Sequence, residues 1–489
     1  MSLDILGKTK NALYWNVIIK IPSELFRFII SIFMARILEP KDFGIVSIAS
    51  MLIYYTNTLT NLGFNKAIVQ TDNINNKHIN SIFIFDLTIS LIFYGLFYIS
   101  APYIASYFHS NETKSVIRVL SSMFIITTFH EIPHSILRRN IEFKIISLID
   151  NVRDTLMGII SLSFALFGFG YWSMVIGQLI SYLLATLYLL YKAKWIPSFI
   201  YNHKSLKELL NFGVWNFLNS QIYFLSTRLD RLIIGRYLNI TALGYYDKSK
   251  SFSQMPDEAI AGNINTVMFS SFSRIKNDSV ELKRMLGRGI TIMACIFFPV
   301  YFGLFAIAPY FILTLLGEKW EPMIIPFKYL CIGCLFSTFN GLFEVFIIGI
   351  GDYKKYVIRK IFATMTLCVL CIYFVKIGIE YVAIGYNVYI LIVFYFSIII
   401  ISKHIVIDWK YVLRCIYIPL LSSIVMVIII YTSQTMLLIE INSLNMAIMI
   451  VLGISTYLIA ILIYPSSNVM ELLKIIVHDL SEKYSSKNS

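Results

Sequence analysis

The sequence has little charge. Only 14% of its 489 residues are Asp, Glu, Lys or Arg and 57% are hydrophobic, whereas an ordinary soluble protein carries about 25% charged residues. A water-soluble fold of this length could not bury so much apolar surface, so that class of protein is excluded. Apolar stretches longer than the roughly 20 residues that cross a bilayer recur from residue 11 to residue 465. The sequence therefore predicts an all-α protein that crosses the membrane many times.

The sequence also lacks the motifs of nucleotide hydrolysis and covalent catalysis. It contains no Walker loop, no glycine-rich phosphate fingerprint and no Ser/His/Asp arrangement. We therefore predict that the chain is not an enzyme, that it has no cofactor and that it does not hydrolyse ATP by itself.

Two groups of residues have the spacing of metal ligands, but neither favours a metal site. The segments 331–334 and 368–371 each begin and end with cysteine inside an apolar stretch, where cysteine packs as a small hydrophobic residue. His130, Glu131 and His134 would share one helix face, but a proline interrupts that helix and no further ligand group accompanies them. We predict no bound metal.

The apolar runs and their polar breaks give fourteen candidate transmembrane helices. The second and the eighth candidates are the most polar of the set. The candidates cover residues 11–36, 43–65, 79–102, 116–137, 145–168, 171–191, 208–235, 243–272, 289–316, 323–350, 357–375, 381–402, 411–433 and 443–465.

The net charge of +13 is spread between the apolar runs rather than gathered into a patch, so it indicates membrane orientation and no nucleic-acid partner. If the N-terminus is cytoplasmic, Lys and Arg are abundant in the alternate, cytoplasmic loops, one of which holds Lys354, Lys355, Arg359 and Lys360. We therefore expect a multi-pass membrane protein with both termini in the cytoplasm. The opposite loops hold few basic residues, namely Arg36, Lys41, Lys114, Arg118, Arg236, Lys319 and Lys376.

An internal repeat appears when the chain is shifted by 200 residues. It predicts two pseudo-symmetric six-helix lobes, residues 1–200 and 201–407, related by an axis along the membrane normal. Residues 408–465 would add two accessory transmembrane helices, and residues 466–489 a cytoplasmic tail. Asn11, Trp15, Asn16, Leu25, Arg36, Leu38 and Gly44 recur as Asn211, Trp215, Asn216, Leu225, Arg236, Leu238 and Gly244.

Eight basic residues lie more than three residues from either end of a candidate span. Each costs ~2.5 kcal/mol or more at the bilayer centre unless it has a partner or a watery cavity. Acidic residues accompany them at helical spacing, so two interpretations stay open: ion pairs that fix helix packing, or groups that line a cavity. The basic residues are Lys20, Arg27, Arg153, Arg228, Arg231, Lys248, Lys250 and Lys328, and the acids are Glu24, Asp150, Asp154, Asp230 and Asp247.

We predict a cavity for these groups. Lys328 is the exception, because it lies close to a membrane face and can extend its ammonium group to water. An excess of positive charge favours an anion such as phosphate or pyrophosphate, since arginine offers planar paired donors and lysine a point charge. Asp86 and Glu344 are isolated acids, which we interpret either as sites for a coupling ion or proton or as partners of basic residues.

Two segments resemble a known family. Residues 229–238, Leu-Asp-Arg-Leu-Ile-Ile-Gly-Arg-Tyr-Leu, with Ala-Leu-Gly-Tyr-Tyr at 242–246 and Pro256, resemble a stretch of bacterial polysaccharide flippases of the Wzx type. Residues 35–44, Ala-Arg-Ile-Leu-Glu-Pro-Lys-Asp-Phe-Gly, are similar to an early turn of the same family. These flippases are a branch of the superfamily of multidrug, oligosaccharidyl-lipid and polysaccharide exporters.

The resemblance implies a fold and a function. It implies two lobes that alternate between inward and outward states and move an undecaprenyl-pyrophosphate-linked oligosaccharide to the outer leaflet, for O-antigen or exopolysaccharide export. A proton or sodium gradient would drive the cycle. The implied partners are the lipid-linked oligosaccharide, membrane lipids, a polysaccharide polymerase and chain-length machinery. By analogy Lys20, Arg27, Arg228 and Arg231 would bind pyrophosphate, with Glu24 and Asp230 orienting them or exchanging with a coupling cation.

Three alternatives remain open. A multidrug exporter of the same fold would suit a cationic cargo, which the basic excess disfavours. A flippase for peptidoglycan precursors would share that excess, so charge does not separate it from a polysaccharide flippase. A membrane glycosyltransferase or polymerase would need a catalytic acid on a sizeable external loop, and the external loops here are short and lack a convincing acidic pair.

Overall fold

The computed structural model describes residues 22–60, 68, 71, 74–198, 201–202, 221–436 and 440–463. Every regular element in these residues is a helix, which confirms the predicted all-α class. The chain packs as two compact units, Met1–Lys248 and Ser249–Ser489.

The first unit contains helices that we number α1 to α9. Helix α9 runs on from this unit into the second. The helices are α1 (22–37), α2 (Pro40–Thr60), α3 (Asn76–Tyr107), α4 (Asn111–Leu120), α5 (Met123–Arg139), α6 (Phe143–Leu166), α7 (Trp172–Ala193), α8 (221–237) and α9 (Ile240–Pro256).

The second unit continues from α9 through a π-helical turn, Asp257–Ala261, into α10 (Gly262–Arg274). A short 3₁₀ helix, Glu318–Met323, precedes α13. The remaining helices are α11 (Ser279–Ala306), α12 (Ala308–Leu316), α13 (Ile324–Gly349), α14 (Tyr353–Phe374), α15 (Ile379–Ser402), α16 (Trp409–Met436) and α17 (Ser443–Ile463).

Nine helical stretches in the described residues are long and apolar enough to cross a membrane, so the chain is a multi-pass membrane protein. The predicted count of fourteen stays a prediction. Helix α6 is not among the nine, because its centre carries Asp150, Arg153 and Asp154. The first and seventh predicted spans begin in residues outside the described ranges.

One predicted span has the wrong bounds. The span predicted at 289–316 merges two helices, because α11 begins at Ser279 and ends at Ala306, and a proline near the start of α12 marks the new helix. Apolar character continues across this break, so hydropathy alone does not reveal it. The span predicted at 116–137 lies within the stretch Asn111–Arg139, one of the nine, in which a turn at Ser121 and Ser122 separates α4 from α5.

The lobe boundary predicted near residue 200 stays a prediction. The compact units instead divide after Lys248, inside α9. The two boundaries measure different properties, because the repeat is defined by a sequence offset and the units by packing.

Two equivalent glycines of the repeat, Gly44 and Gly244, pack against each other's helices in the first unit. A Cβ atom on Gly44 of α2 would lie 2.0 Å from the carbonyl oxygen of Ile240, and a Cβ atom on Gly244 of α9 would lie 1.9 Å from that of Pro40. Each glycine therefore touches the first residue of the other helix, and the two contacts are related by the 200-residue offset. We call this crossing the glycine seam; it requires residues without a side chain.

The caps that begin the two helices of the glycine seam differ in detail. In α2, the Asp42 carboxylate reaches back and accepts a hydrogen bond from the Glu39 backbone N–H, at 2.9 Å. In α9, the Asn239 side chain reaches forward and accepts from the Ala242 N–H, at 2.7 Å. Both caps satisfy backbone donors next to the seam, so the helices start at matching positions of the repeat.

Alanine at either seam position should destabilise the protein. Gly44→Ala or Gly244→Ala places a methyl group against a backbone carbonyl that cannot rotate away, and overpacking of this kind costs about 1–3 kcal/mol. The check is the thermal unfolding midpoint of the detergent-solubilised chain. Gly95→Ala is the matched control, because a Cβ there meets open space and alanine favours the helix. Equal midpoints for Gly44→Ala and Gly95→Ala would contradict the close contact.

Candidate functional site

A cavity of about 310 Å³ opens in the first unit among α2, α5, α7, α8 and α9. Its wall mixes apolar and polar side chains, which is unusual between transmembrane helices and typical of a binding site. The apolar part includes Phe43, Met51, Met123 and Met174, and the polar part is formed by Ser47, Ser50, Tyr54, Gln178, Tyr182, Arg228 and Asp247.

The polar wall arises from one face of each contributing helix. Ser47, Ser50 and Tyr54 recur at i, i+3 and i+7 on α2, and Gln178 and Tyr182 recur at i and i+4 on α7. Sequence reasoning missed these residues because it considered only charged groups. The unusual polarity of the second predicted span could have indicated that α2 lines a cavity.

Arg228 is the basic residue that lines this cavity. It is half-buried, and its guanidinium carbon lies 5.9 Å from the centre of the Tyr54 ring. Within the described part of the chain Arg228 has no ion-pair partner and donates no hydrogen bond to another residue. Its donors are therefore available to a ligand in the cavity.

Arg231, one turn further along α8, is paired instead. It is 5% exposed and forms an ion pair with Asp247 through its Nε atom. Asp230 is fully buried and accepts hydrogen bonds from the Tyr246 hydroxyl, at 2.8 Å, and from the Arg231 backbone N–H, at 2.9 Å. Arg231 and Asp230 thus join α8 to α9, and their position supports the ion-pair interpretation rather than direct contact with the cavity.

Arg27 of α1 is also paired. Its guanidinium group contacts Glu24 on the same helix and Asp154 of α6, the second at 3.3 Å. The sequence suggested that Arg27 and Arg228 sit at similar depth across one cavity, but the residues that line the cavity do not include Arg27.

Arg153 forms a second pair on α6 and reaches the cavity wall indirectly. Its guanidinium nitrogens lie 2.8 Å from Asp154 and 3.1 Å from Asp150. The guanidinium carbon lies 4.7 Å from the centre of the Tyr182 ring, which lines the cavity. His134 of α5 approaches Asp150 at 3.5 Å, so this polar network extends behind the wall.

The lysines predicted for the site have separate surroundings. Lys248 donates a hydrogen bond to the Ser31 hydroxyl, at 2.7 Å, and lies 4.3 Å from the centre of the Phe43 ring. Lys250 belongs to the second unit, where it lies 4.7 Å from the centre of the Tyr386 ring. Lys20 lies outside the described residues.

One basic residue that the sequence assigned to a cytoplasmic loop is buried in the second unit. Arg359 is 5% exposed, because α14 begins at Tyr353 and carries it almost two turns inward. Its guanidinium group pairs with Glu344, at 2.6 Å, and also donates to the Ser397 hydroxyl. Glu344 is therefore the partner of a basic residue, the second of the two interpretations left open for it.

The chain is similar in sequence to proteins of polysaccharide biosynthesis. A sequence model of the family described as "Polysaccharide biosynthesis protein" matches residues 33–325. The succinoglycan biosynthesis transport protein ExoT of Rhizobium meliloti (strain 1021) is 24% identical over 63% of this chain and 62% of its own length. The teichuronic acid biosynthesis protein TuaB of Bacillus subtilis (strain 168) is 22% identical over 54% and 56%.

A third relative is the lipopolysaccharide biosynthesis protein WzxC of Escherichia coli (strain K12), which is 22% identical over 63% of each chain. The chain thus spans less than two thirds of the length of these three relatives.

Solved structures with the same fold include the lipid II flippase MurJ in an inward closed conformation. The similarity has a TM-score of 0.77 and 18% identity, over 91% of this chain and 97% of that one. An inward-facing multidrug transporter of the MATE family has a TM-score of 0.62 and 17% identity, over 79% and 98%. At this identity the similarities show the fold alone.

Removal of one of the two neighbouring arginines should destabilise the fold, and removal of the other should not. Arg231→Ala leaves Asp247 without its partner beside the buried Asp230, and breaking a buried pair costs on the order of 3 kcal/mol. Arg228→Ala removes a half-buried side chain that has no ion pair, so the protein should stay folded. Thermal unfolding midpoints of the two purified variants check this contrast. A midpoint lowered as much by Arg228→Ala as by Arg231→Ala would count against it.

Proposed function

Because the chain belongs to the polysaccharide biosynthesis protein family, we propose that it is a non-enzymatic flippase for lipid-linked oligosaccharides. It moves an undecaprenyl-pyrophosphate-linked oligosaccharide from the cytoplasmic to the outer leaflet by alternating access. The cargo serves export of an O-antigen or exopolysaccharide type of polymer. Three relatives whose names refer to succinoglycan transport, teichuronic acid and lipopolysaccharide support this class of cargo.

Arg228 is the observation that carries the proposal. A guanidinium group held between transmembrane helices without a carboxylate partner is costly unless an anion enters beside it. A phosphate group matches its planar paired donors. Arg228 would therefore bind the pyrophosphate of the cargo, and the ligand would supply the missing negative charge.

The rest of the polar wall suits a sugar. Ser47, Ser50 and Gln178 offer hydroxyl and amide groups, while Tyr54 and Tyr182 offer aromatic faces with a polar tip. A cavity of about 310 Å³ lies at the lower end of the range for small-ligand sites. It suits a phosphate with a neighbouring sugar, while the rest of the oligosaccharide extends beyond it.

The prenyl chain would stay in the bilayer during transport. Each methylene group buried in lipid contributes about 0.8 kcal/mol, so withdrawing a long prenyl chain into a polar cavity is prohibitive. The protein therefore needs to shield only the charged and sugar parts of the cargo. A cavity of this kind agrees with that requirement, because Arg228 is the one charged residue of its wall that has no ion-pair partner among the described residues.

The remaining predicted site residues have supporting roles in this proposal. Arg231 and Asp247 fix the helix that presents Arg228, with Asp230 held behind them. A second group orients Tyr182 and closes the wall behind it. This second group consists of Arg27, Glu24, Asp154, Arg153 and Asp150.

The cellular setting is part of the proposal. The alternation of basic residues between loops supports a bacterial inner-membrane protein with both termini in the cytoplasm. A proton or sodium gradient drives the cycle. A polysaccharide polymerase and chain-length machinery receive the translocated cargo on the outer side.

The variant Arg228→Ala tests the proposal in a host whose surface polysaccharide depends on this chain. We expect polymer at the cell surface to fall by roughly tenfold or more, because a lost charged hydrogen bond costs about 1.5–3 kcal/mol. Arg228→Lys should restore part of it, since lysine keeps the charge and loses the paired donors. The measurement is surface polymer per inserted protein.

Lys403→Ala is the matched control, because it removes an exposed basic residue beyond the end of α15. Its polymer level should equal that of the unchanged protein. Normal polymer in Arg228→Ala cells with normal insertion would refute the assignment of the cavity.

A further inference from the structure

An acidic residue lies buried in the first unit, outside the cavity wall. Asp86 of α3 is 2% exposed, and its Oδ1 atom has no hydrogen-bond partner among the described residues. An ionised carboxylate in such surroundings is expensive, whereas the protonated acid is tolerated. The position therefore suits a carboxyl group that holds a proton.

The packing around Asp86 is apolar or neutral. One turn before it, the ring of Phe83 packs edge-on against Phe129 and Trp195, with ring centres 5.2 and 5.3 Å away. One turn after it, Ser90 and Thr128 share a hydrogen bond of 2.8 Å. These contacts join α3 to α5 and to the segment that follows α7, and they separate Asp86 from water.

The charged group whose electrostatic field acts on Asp86 is Glu131 of α5. In the described residues of α2, α4 and the segment after α7, no other charged group acts on it. The Glu131 carboxylate repels the ionised form of Asp86, which adds to the cost of burying that charge. The groups that in turn act electrostatically on Glu131 are His134 and Arg138 of α5, Asp150 and Arg153 of α6, and Tyr182 of α7.

We infer that Asp86 and Glu131 form a proton-binding site that couples proton movement to the cavity. This inference rests on the proposed function for its purpose, although the site itself can be tested without any cargo. One proton from water binds one carboxylate oxygen and gives the neutral acid, and its release restores the anion.

The polar network behind the wall provides the physical link. Glu131 and Arg153 attract each other electrostatically, and Arg153 lies over the Tyr182 ring that lines the cavity. When the two acids take up a proton, they offset less of the positive charge of Arg153, so the net potential at the cavity becomes more positive. Proton uptake therefore favours an anion in the cavity, and proton release favours its departure.

Infrared spectroscopy of the full chain in lipid nanodiscs tests the site directly. The unchanged protein should show a carbonyl band of a protonated carboxyl group whose intensity changes with pH. Asp86→Asn should abolish that change, and Glu131→Gln should shift its midpoint. Glu440→Gln, which alters an exposed carboxylate in the loop before α17, should leave it unchanged. An identical band change in Asp86→Asn would overturn the inference.

A measurement on the unchanged protein guards against a variant that does not fold. The O–H group of a protonated carboxyl in apolar surroundings adds across a C=N bond of a hydrophobic carbodiimide. The O-acylisourea that forms then rearranges, by transfer of the acyl group from oxygen to nitrogen, to a stable N-acylurea. Mass spectrometry should locate this adduct on Asp86, with less of it as the pH rises. Labelling of other carboxylates without any adduct on Asp86 or Glu131 would also overturn the inference.

Transport assays separate this inference from the proposed function. In proteoliposomes with a fluorescent prenyl-pyrophosphate sugar, a pH gradient should accelerate transport by the unchanged protein and have no effect on Asp86→Asn. Transport by Asp86→Asn with unchanged dependence on the gradient would refute the coupling while leaving the flippase intact. Loss of the infrared change in Asp86→Asn, with no transport by the unchanged protein, would refute the flippase while leaving the proton site intact.

Discussion

The structure depends on the cost of an unpaired charge between transmembrane helices. The two buried arginines in the described part of the chain meet that cost with a carboxylate inside the protein: Arg231 pairs with Asp247, and Arg359 with Glu344. Such pairs fix helices against one another and offset the charge that an anionic ligand would meet. Arg228 lies one turn from Arg231 and has no such partner in the described residues, so its position beside a cavity gives it a different role. Of these two neighbouring arginines, Arg231 therefore fixes the packing of helices, and Arg228 is available to bind a ligand.

The glycine seam explains how the cavity wall is held in place. Gly44 and Gly244 bring the first turns of α2 and α9 into backbone contact, and the same two helices carry Ser47, Tyr54 and Asp247 into the wall. Because both contacts obey the 200-residue offset, the repeat acts here as a physical constraint and not only as a sequence similarity. Side chains one to three turns from the seam are therefore positioned by backbone contact, which is less variable than contact between long side chains.

The sequence predicted the class of fold and the nature of the charged residues, but not their partners. Hydropathy and the spacing of basic residues are local properties, so the membrane helices could be recognised. Ion pairs between helices are not local: nothing near Arg359 or Glu344 in the sequence indicates that they meet, and the cluster of basic residues at 354–360 resembled a loop. The break between α11 and α12 was missed for a related reason, since it interrupts the helix without interrupting the apolar run.

The same distinction explains why the candidate site could only partly be foreseen. Counting charges inside spans found Arg228 but could not separate it from Arg153 and Arg231, because pairing is decided by neighbours on other helices. It also overlooked uncharged wall residues such as Tyr182 and Gln178. The charges are arranged in three steps: a positive cavity, a paired network behind it and a buried carboxyl group. An anion entering beside Arg228 adds negative charge, and a proton on the acids behind Arg153 removes some, so each binding event lowers the cost of the other.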